Sequence, residues 1–238
     1  MPLPSSLSGR EAVLKAAQNH PFARLRATKH LWGYAEEHAV VWKTDRRVCG
    51  IGDPAAVIAL CKRLAEAGEI GPGTLIEVPR VDIAAFSSFD IARHEYWSVL
   101  WTRQALPHTE TDDRVVLLPP SEHAAIDALL DVAFPATRNR PGNDDIKRWF
   151  GIYEDGELVA VGADRSANGV GYLVAIAVMP NRQSRGYGAA LTRRMSRELL
   201  ADSDICALGV TAANTRARAL YQRTGFTEGI DLTSIRLV

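Results

Sequence analysis

The stretch from Tyr172 to Leu200 restricts the possible folds more than any other part of the chain. Tyr172 to Met179 is an unbroken apolar run that reads as a buried strand, and Pro180 stops it because proline offers no ladder N–H. A polar turn with Gly186 and Gly188 follows and leads into Gly188 to Leu200. There Leu191, Met195 and Leu199 recur every fourth residue, the stripe of a helix packed on one side. A buried strand that turns through glycines into a packed helix is a building block of α/β sheets. Its helix start leaves N–H groups unpaired at the positive end of the helix dipole, where phosphate oxygens bind well. A phosphorylated ligand is therefore expected at this turn.

Three phosphate-binding patterns compete for the turn. A nucleoside-triphosphate loop needs Lys-Ser or Lys-Thr after its last glycine, and this chain has Ala189-Ala190. A dinucleotide fingerprint needs a third small residue where this chain has Leu191. The spacing Gln-x-x-Gly-x-Gly from Gln183 to Gly188 instead resembles the acyl-CoA-binding loop of the Gcn5-related N-acetyltransferases, the GNAT superfamily. Taken alone, so short a glycine pattern also suits a turn that binds nothing. A second segment narrows the choice. After a short apolar strand, Asp204 to Val210, the chain reads Asn214-x-x-Ala217-x-x-Leu220-Tyr221-x-x-x-Gly225-Phe226, which is similar to the second signature of that superfamily. Asn214 suits a helix N-cap, Ala217, Leu220 and Tyr221 share one helical side, and Gly225 suits the residue past a helix end. The resemblance spans roughly Arg114 to Val238.

The fold class expected is α/β, with a mixed-sheet GNAT acyltransferase fold in the C-terminal half and a smaller α/β domain before it. Arg114 to Leu118 reads as a strand and Ser121 to Ala133 as a helix capped by Ser121. Trp149 to Glu154 and Glu157 to Ala163 form a hairpin around Asp155-Gly156, and Phe226 to Val238 a last hairpin. Hairpins at both ends of an alternating core give a mixed sheet.

Acetyl transfer to an amine needs a neutral amine, a polarised thioester oxygen, a protonated leaving thiolate and aligned partners. By resemblance, the backbone amides of Gln183, Ser184, Arg185, Gly186, Tyr187, Gly188 and Ala189 hold the coenzyme A pyrophosphate. The central strand and its successor splay apart. The backbone of Ile176, Ala177 and Val178 then pairs with pantetheine, and an amide near Ile176 faces the carbonyl oxygen. Tyr221 matches the tyrosine that serves the leaving sulfur, although packing on the inner side of its helix is a second reading. Asn214 and Ala217 fall at coenzyme-contacting positions, and Asn214 as a cap alone is as good a reading. Many relatives carry a strand carboxylate as base, where this chain has Tyr172, Val174 and Ala175. No histidine follows His123, which leaves a water chain, Glu154, Asp164 or the N-terminal half, and no base is assigned. Cys206 lacks a histidine partner and reads as a buried strand residue.

The chain's 238 residues suit about two units, with a break in the polar stretch Gln104 to Asp113 and domains at 1–110 and 111–238. Upstream, Ala39 to Trp42, Arg47 to Ile51, Thr74 to Val78 and Glu95 to Thr102 read as strands, and Asp53 to Ala67 as a helix. This order suggests a degenerate second copy of the same fold, without the phosphate loop, that walls the acceptor cleft. Trp32, Trp42, Trp97 and Trp101 lie in this half, as core or as pocket lining. In the loop Pro135 to Lys147, Asp144 and Asp145 suit attracting a cationic amine, and Asn143 or Asp144 capping a short helix is an equal reading.

Acidic and basic residues balance at 28 each, so no bulk field favours nucleic acid or an anionic membrane. Arg193, Arg194 and Arg197 fall on the polar side of the long helix, solvated or reaching toward the coenzyme ribose phosphate. The 3 cysteines, Cys49, Cys61 and Cys206, show neither metal spacing nor even pairing, as in a reducing compartment. No apolar run approaches ~20 residues and Met1 to Gly9 lacks a leader pattern, so the expected location is the cytoplasm. The sequence thus points to an N-acyltransferase, most simply moving acetyl from acetyl-CoA, with no metal, to a primary amine on a small molecule or peptide. It is expected as a monomer or homodimer. A coenzyme-binding sensor without turnover is the alternative, motivated by the missing strand carboxylate.

Overall fold

The computed structural model describes residues 3–4, 6–28, 30–44 and 46–238. Two compact units divide the chain. One holds residues 1–99, 210–214 and 230–238, and the other holds 100–209 and 215–229. The first boundary falls at Val99/Leu100, earlier than the expected 110/111, and the end of the chain returns to the first unit.

The first unit begins with β1 (Ser6–Ser8), α1 (Gly9–Ala16), α2 (Pro21–Arg26), β2 (Trp32–Glu36), β3 (Ala39–Thr44) and β4 (Arg47–Gly52). It continues with α3 (Pro54–Glu66), β5 (Leu75–Pro79) and most of β6 (Ile91–Thr102). Strands β2, β3 and β4 pair antiparallel in sequence, and β4 then pairs parallel with β5 across the α3 crossover. Val57, Leu60, Cys61 and Leu64 on α3 are fully buried against Val41, Val48, Ile76 and Ile235, as the helical spacing requires. Trp42 and Trp97 are buried and Trp32 is partly exposed, so packing accounts for two of these three.

The second unit carries β7 (Val116–Leu118), α4 (His123–Ala133), β8 (Arg148–Glu154), β9 (Glu157–Asp164), β10 (Val170–Val178), α5 (Tyr187–Ala201), β11 (Ile205–Thr211, as far as Gly209) and α6 (Thr215–Arg223). Its sheet runs β11-β10-β9-β8-β7, antiparallel except for the β10–β11 pair. The hairpin turn is where the sequence puts it, with Asp155 and Gly156 both at positive φ, 53° and 82°. Leu191, Met195 and Leu199 are buried, as their fourfold spacing implies.

The units share a plan: a strand, helix, antiparallel meander, crossover helix and parallel strand. The mixed α/β class expected from the sequence is borne out. Two local expectations are corrected. The last segment is a single strand, β12 (Glu228–Leu237), whose residues Leu232 to Arg236 pair antiparallel with β5, because no turn residue interrupts Ile230 to Val238. Ser121 does not cap α4; a short 3₁₀ turn, Pro120–Glu122, precedes the helix and Ser121 is exposed. Among the described residues no helix is long and apolar enough to cross a membrane, and no cluster of His, Cys, Asp or Glu is placed to hold a metal ion.

Candidate active site

Strand β10 is regular only in its first half. Val170 to Leu173 pair parallel with Ile205 to Leu208, and the paired register ends there. On its other edge the register with β9 shifts between Val174 and Ala177, so that one extra residue of β10 is accommodated. Ala175 adopts φ 52°, a left-handed conformation that costs a residue with a Cβ roughly 1–2 kcal/mol. The bulge therefore sits where pairing with β11 stops, and it turns the backbone around Ala175 and Ile176 out of the ladder. Ile176 and Val178 are half-buried and Ala177 is buried.

Past Val178 the chain makes a 3₁₀ turn, Pro180–Arg182, and enters α5 through Gly186, the N-cap at φ 86°. Ser184 is also left-handed, at φ 64°. These two reversals turn successive peptide groups the same way, a concave arrangement of N–H donors suited to anions. Among the described residues, no protein acceptor receives a hydrogen bond from the N–H groups of Gln183 to Ala189. The next amide, of Ala190, is the first to be used, bonding Gly186 O at 2.9 Å.

Side chains from other elements hold the turn from both sides. Glu154, at the end of β8, pairs with Arg182 at 3.0 Å and with Arg185 at 3.0 Å and 3.1 Å, and it accepts a short hydrogen bond from the Tyr187 hydroxyl. That bond, then Arg185 and Arg182, lower the Glu154 pKa despite the cost of desolvation. Arg114 lies over the Tyr187 ring and donates to its hydroxyl at 3.2 Å. On the opposite side Arg216 of α6 donates to Gln183 Oε1 at 2.8 Å and to Ser184 Oγ at 3.0 Å. Gln183 Nε2 donates in turn to the Val178 carbonyl at 3.4 Å. A Cβ on Gly188 would lie 3.5 Å from Leu220 and 3.9 Å from Val178, so strand, turn and α6 converge at that glycine.

Tyr221 is buried on α6, edge-on to Phe226 with ring centroids 6.3 Å apart. Burial pushes its phenol up to about 12, and no hydrogen bond to its hydroxyl exists among the described residues. The helix ends at Gly225 as expected, with the Phe226 amide returning to Tyr221 O at 3.0 Å. Asn214 immediately precedes α6 and Ala217 lies in its first turn, half-buried.

Several expected roles do not survive. Arg193 and Arg197 do not face solvent or a coenzyme: both bind the fully buried Asp112, Arg193 through bonds of 2.6–3.2 Å and Arg197 at 2.8 Å. Burial alone would raise that carboxyl, but hydrogen bonds from Arg193, Arg197 and Thr109 outweigh it and hold the pKa at about 2. Arg194 pairs with Glu198 instead. Asp145 is committed to Arg165, and Asn143 bonds the Arg140 amide within its own loop rather than capping a helix. Neither candidate base is free. Glu154 is tied to two arginines, and the buried Asp164 binds Arg148 at 3.0 Å together with the Ser166 amide at 2.8 Å and the Ser166 hydroxyl. Arg185 and Tyr187 point their side chains at Glu154, so they offer the turn only their backbone.

The matching junction in the first unit is built differently. Gly52 leads directly into α3, and a Cβ there would lie 2.2 Å from the His38 carbonyl. The Asp53 amide is spent on that carbonyl at 2.8 Å, and the Asp53 carboxylate caps the Ala56 amide at 2.9 Å.

Comparison with known proteins fits this geometry. Residues 149–235 match the family model described as FR47-like protein. Among solved structures, a GCN5-related N-acetyltransferase from Kribbella flavida is 16% identical over 94% of this chain and 95% of its own, with a TM-score of 0.57. A GCN5-related N-acetyltransferase from Sphaerobacter thermophilus is 14% identical over 99% and 97%, at 0.56. The chain has the mixed α/β fold of these acetyltransferases. A GNAT-family protein from Novosphingobium aromaticivorans DSM 12444 is also similar, 18% identical over 97% and 96%, at 0.58. These matches span both units, so the GNAT likeness extends through the whole chain. No curated protein matches it in sequence.

Proposed function

We propose that this chain is an N-acyltransferase that moves an acetyl group from acetyl-CoA to a primary amine by direct attack. The observation that carries the reading is the set of unbonded N–H groups from Gln183 to Ala189, held outward at the start of α5. A diphosphate gives such donors the acceptors they lack. The pantetheine arm then lies along the half of β10 that β11 leaves unpaired, against Ile176, Ala177 and Val178. The backbone turned out by the Ala175 bulge is the donor proposed for the thioester oxygen. Ala217 bounds the coenzyme from the α6 side.

In the reaction the amine nitrogen attacks the thioester carbon, negative charge collects on the oxygen, and the C–S bond breaks with its electron pair on sulfur. The nitrogen sheds one proton, and the products are the N-acetyl amine and the free thiol. Tyr221 donates a hydrogen bond to the sulfur as charge develops there. With its phenol near 12 against an ordinary thiol near ~8.5, it serves as a donor that stays protonated rather than as an acid that ionises fully. With Glu154 and Asp164 both engaged by arginines, the reading is that the amine arrives neutral or loses its proton to water.

Thiol release from acetyl-CoA across a panel of primary amines tests the proposal, with coenzyme binding measured in parallel. Turnover on at least one amine supports it. Tight coenzyme binding with no turnover on any amine would transfer the support to a sensor that kept the pocket.

A further inference from the structure

The phosphate-binding turn carries two residues in the left-handed region, and only Gly186 does so without a Cβ penalty. Ser184 has no such licence. A residue held there needs surrounding contacts to fix it. Arg216 supplies them, with one guanidinium nitrogen on Ser184 Oγ at 3.0 Å and another on Gln183 Oε1 at 2.8 Å. Because Gln183 accepts from Arg216 with its oxygen, its amide nitrogen is oriented to donate, and it reaches the carbonyl of Val178 at 3.4 Å. One hydrogen-bonded chain therefore runs from the end of β10 through the turn to α6, the helix that carries Tyr221. The planar fork of donors on Arg216 is what a lysine cannot supply.

We propose that Arg216 is a positioning residue that holds the coenzyme turn and the first turn of α6 in one fixed relation. Its bidentate geometry, and not its charge, sets affinity for the coenzyme. The inference rests on the acyl-CoA reading of the site. Without the fork, Ser184 relaxes toward ordinary φ and the N–H groups on either side of it no longer converge on one diphosphate.

The test is calorimetric titration with coenzyme A of the full chain and of R216M, R216K, S184A and the double variant R216M/S184A. Arg216 is exposed, so melting temperatures should be unchanged and confirm that each variant folds. R216M and R216K should both weaken binding about tenfold, in the range expected for losing hydrogen bonds to a charged group. The double variant should be no weaker than R216M, because both substitutions cut the same link. At saturating acetyl-CoA, kcat should stay within about twofold while KM for acetyl-CoA rises with the dissociation constant. R216K binding like the parent while R216M is weak would overturn the proposal in favour of plain charge attraction. Losses that simply add in the double variant would overturn it too. No binding by the unaltered chain would overturn the coenzyme reading itself, and R216M binding as tightly as a binding-competent parent would overturn the latch alone.

Discussion

Replacing Tyr221 with phenylalanine separates catalysis from stability unusually well in this fold. The hydroxyl has no hydrogen-bond partner among the described residues, while its ring packs edge-on against Phe226. Removing the oxygen thus breaks no internal hydrogen bond, and the stability of Y221F at neutral pH should lie within about 0.5 kcal/mol of the parent. Coenzyme affinity should also hold within about threefold. Turnover should fall by about 10²-fold, the lower end for proton or hydrogen-bond donation to a leaving group, which corresponds to about 2.7 kcal/mol of lost transition-state stabilisation. The raised phenol gives a second readout. Its folded-state pKa of about 12 lies above the ordinary 10.0, so the folded chain holds that proton more tightly than the unfolded chain. This contribution is complete below about pH 10 and is lost as pH rises through 12. The tighter hold on the proton is worth a few kcal/mol of stability across that window, on the order of 1.4 kcal/mol per pKa unit. The thiols of Cys61 and Cys206 are pushed to about 12 as well, but they are present in both proteins and cancel in the difference. Urea titrations at pH 8, 10 and 12 should therefore show the parent losing more stability than Y221F between the last two. A Y221F turnover within about threefold of the parent would refute the donor role, and parallel alkaline losses would refute burial as the cause of the raised pKa.

Three further outcomes follow from the same geometry. Glu154→Gln should raise KM for acetyl-CoA severalfold through a loosened turn and leave the shape of the pH–rate profile unchanged, since the carboxylate is already spent on Arg182 and Arg185; loss of the acidic limb would make it the general base. Its lowered pKa also means that its stabilising contribution, present above the ordinary carboxyl range, disappears as pH falls through the folded value. Asp112→Asn should cost about 3 kcal/mol in urea denaturation by leaving Arg193 and Arg197 without their buried partner, and a loss below about 1 kcal/mol would show the cluster to be solvated. Gly186→Val should abolish measurable coenzyme A binding, because a branched side chain at φ 86° forces the turn to rearrange although the space around it is open; unchanged affinity would remove the turn from the coenzyme site.

What the sequence reveals and what it hides divide along physical lines. The strand ended by Pro180, the helix carrying Leu191, Met195 and Leu199, and the Asp155-Gly156 hairpin follow from local rules of periodicity, donor loss and turn preference, and all three are present. The bulge at Ala175 leaves no such trace, since alanine has no preference for φ 52°; only the end of the β10–β11 pairing explains why it is tolerated. Asp112 looks like part of a polar linker because its arginine partners lie 81 and 85 residues away. The last strand reads as a hairpin from local apolarity, whereas its partner β5 belongs to the first half of the chain. Arg216 falls inside a legible motif, but at a position the pattern leaves unspecified, and its contacts with Gln183 and Ser184 appear only once strand, turn and helix have been brought together.

The shared plan of the two units turns their strand-to-helix junctions into a natural comparison. Both place a helix after the last strand of a meander, so both offer a positive dipole end and a set of orphan donors. In the first unit the junction is short. Gly52 runs under the His38 carbonyl, the Asp53 amide is consumed by it, and the Asp53 carboxylate both caps the helix and presents negative charge where a phosphate would sit. In the second unit the junction is lengthened by the Pro180–Arg182 turn and the residues up to Gly186, the N-cap is a glycine rather than an acid, and the nearby Glu154 is neutralised by Arg182 and Arg185. A cap that stabilises a helix and a cradle that binds an anion compete for the same N–H groups, so one junction cannot serve both purposes well. The first unit has its helix start satisfied from within. The second leaves its donors open, bears the strain at Ala175 and Ser184, and relies on Glu154 and Arg216 to hold the open form. On the proposed acyl-CoA reading, the second unit's junction is the one with donors to offer a diphosphate, and the first unit's junction has already spent those of Asp53 and Ala56.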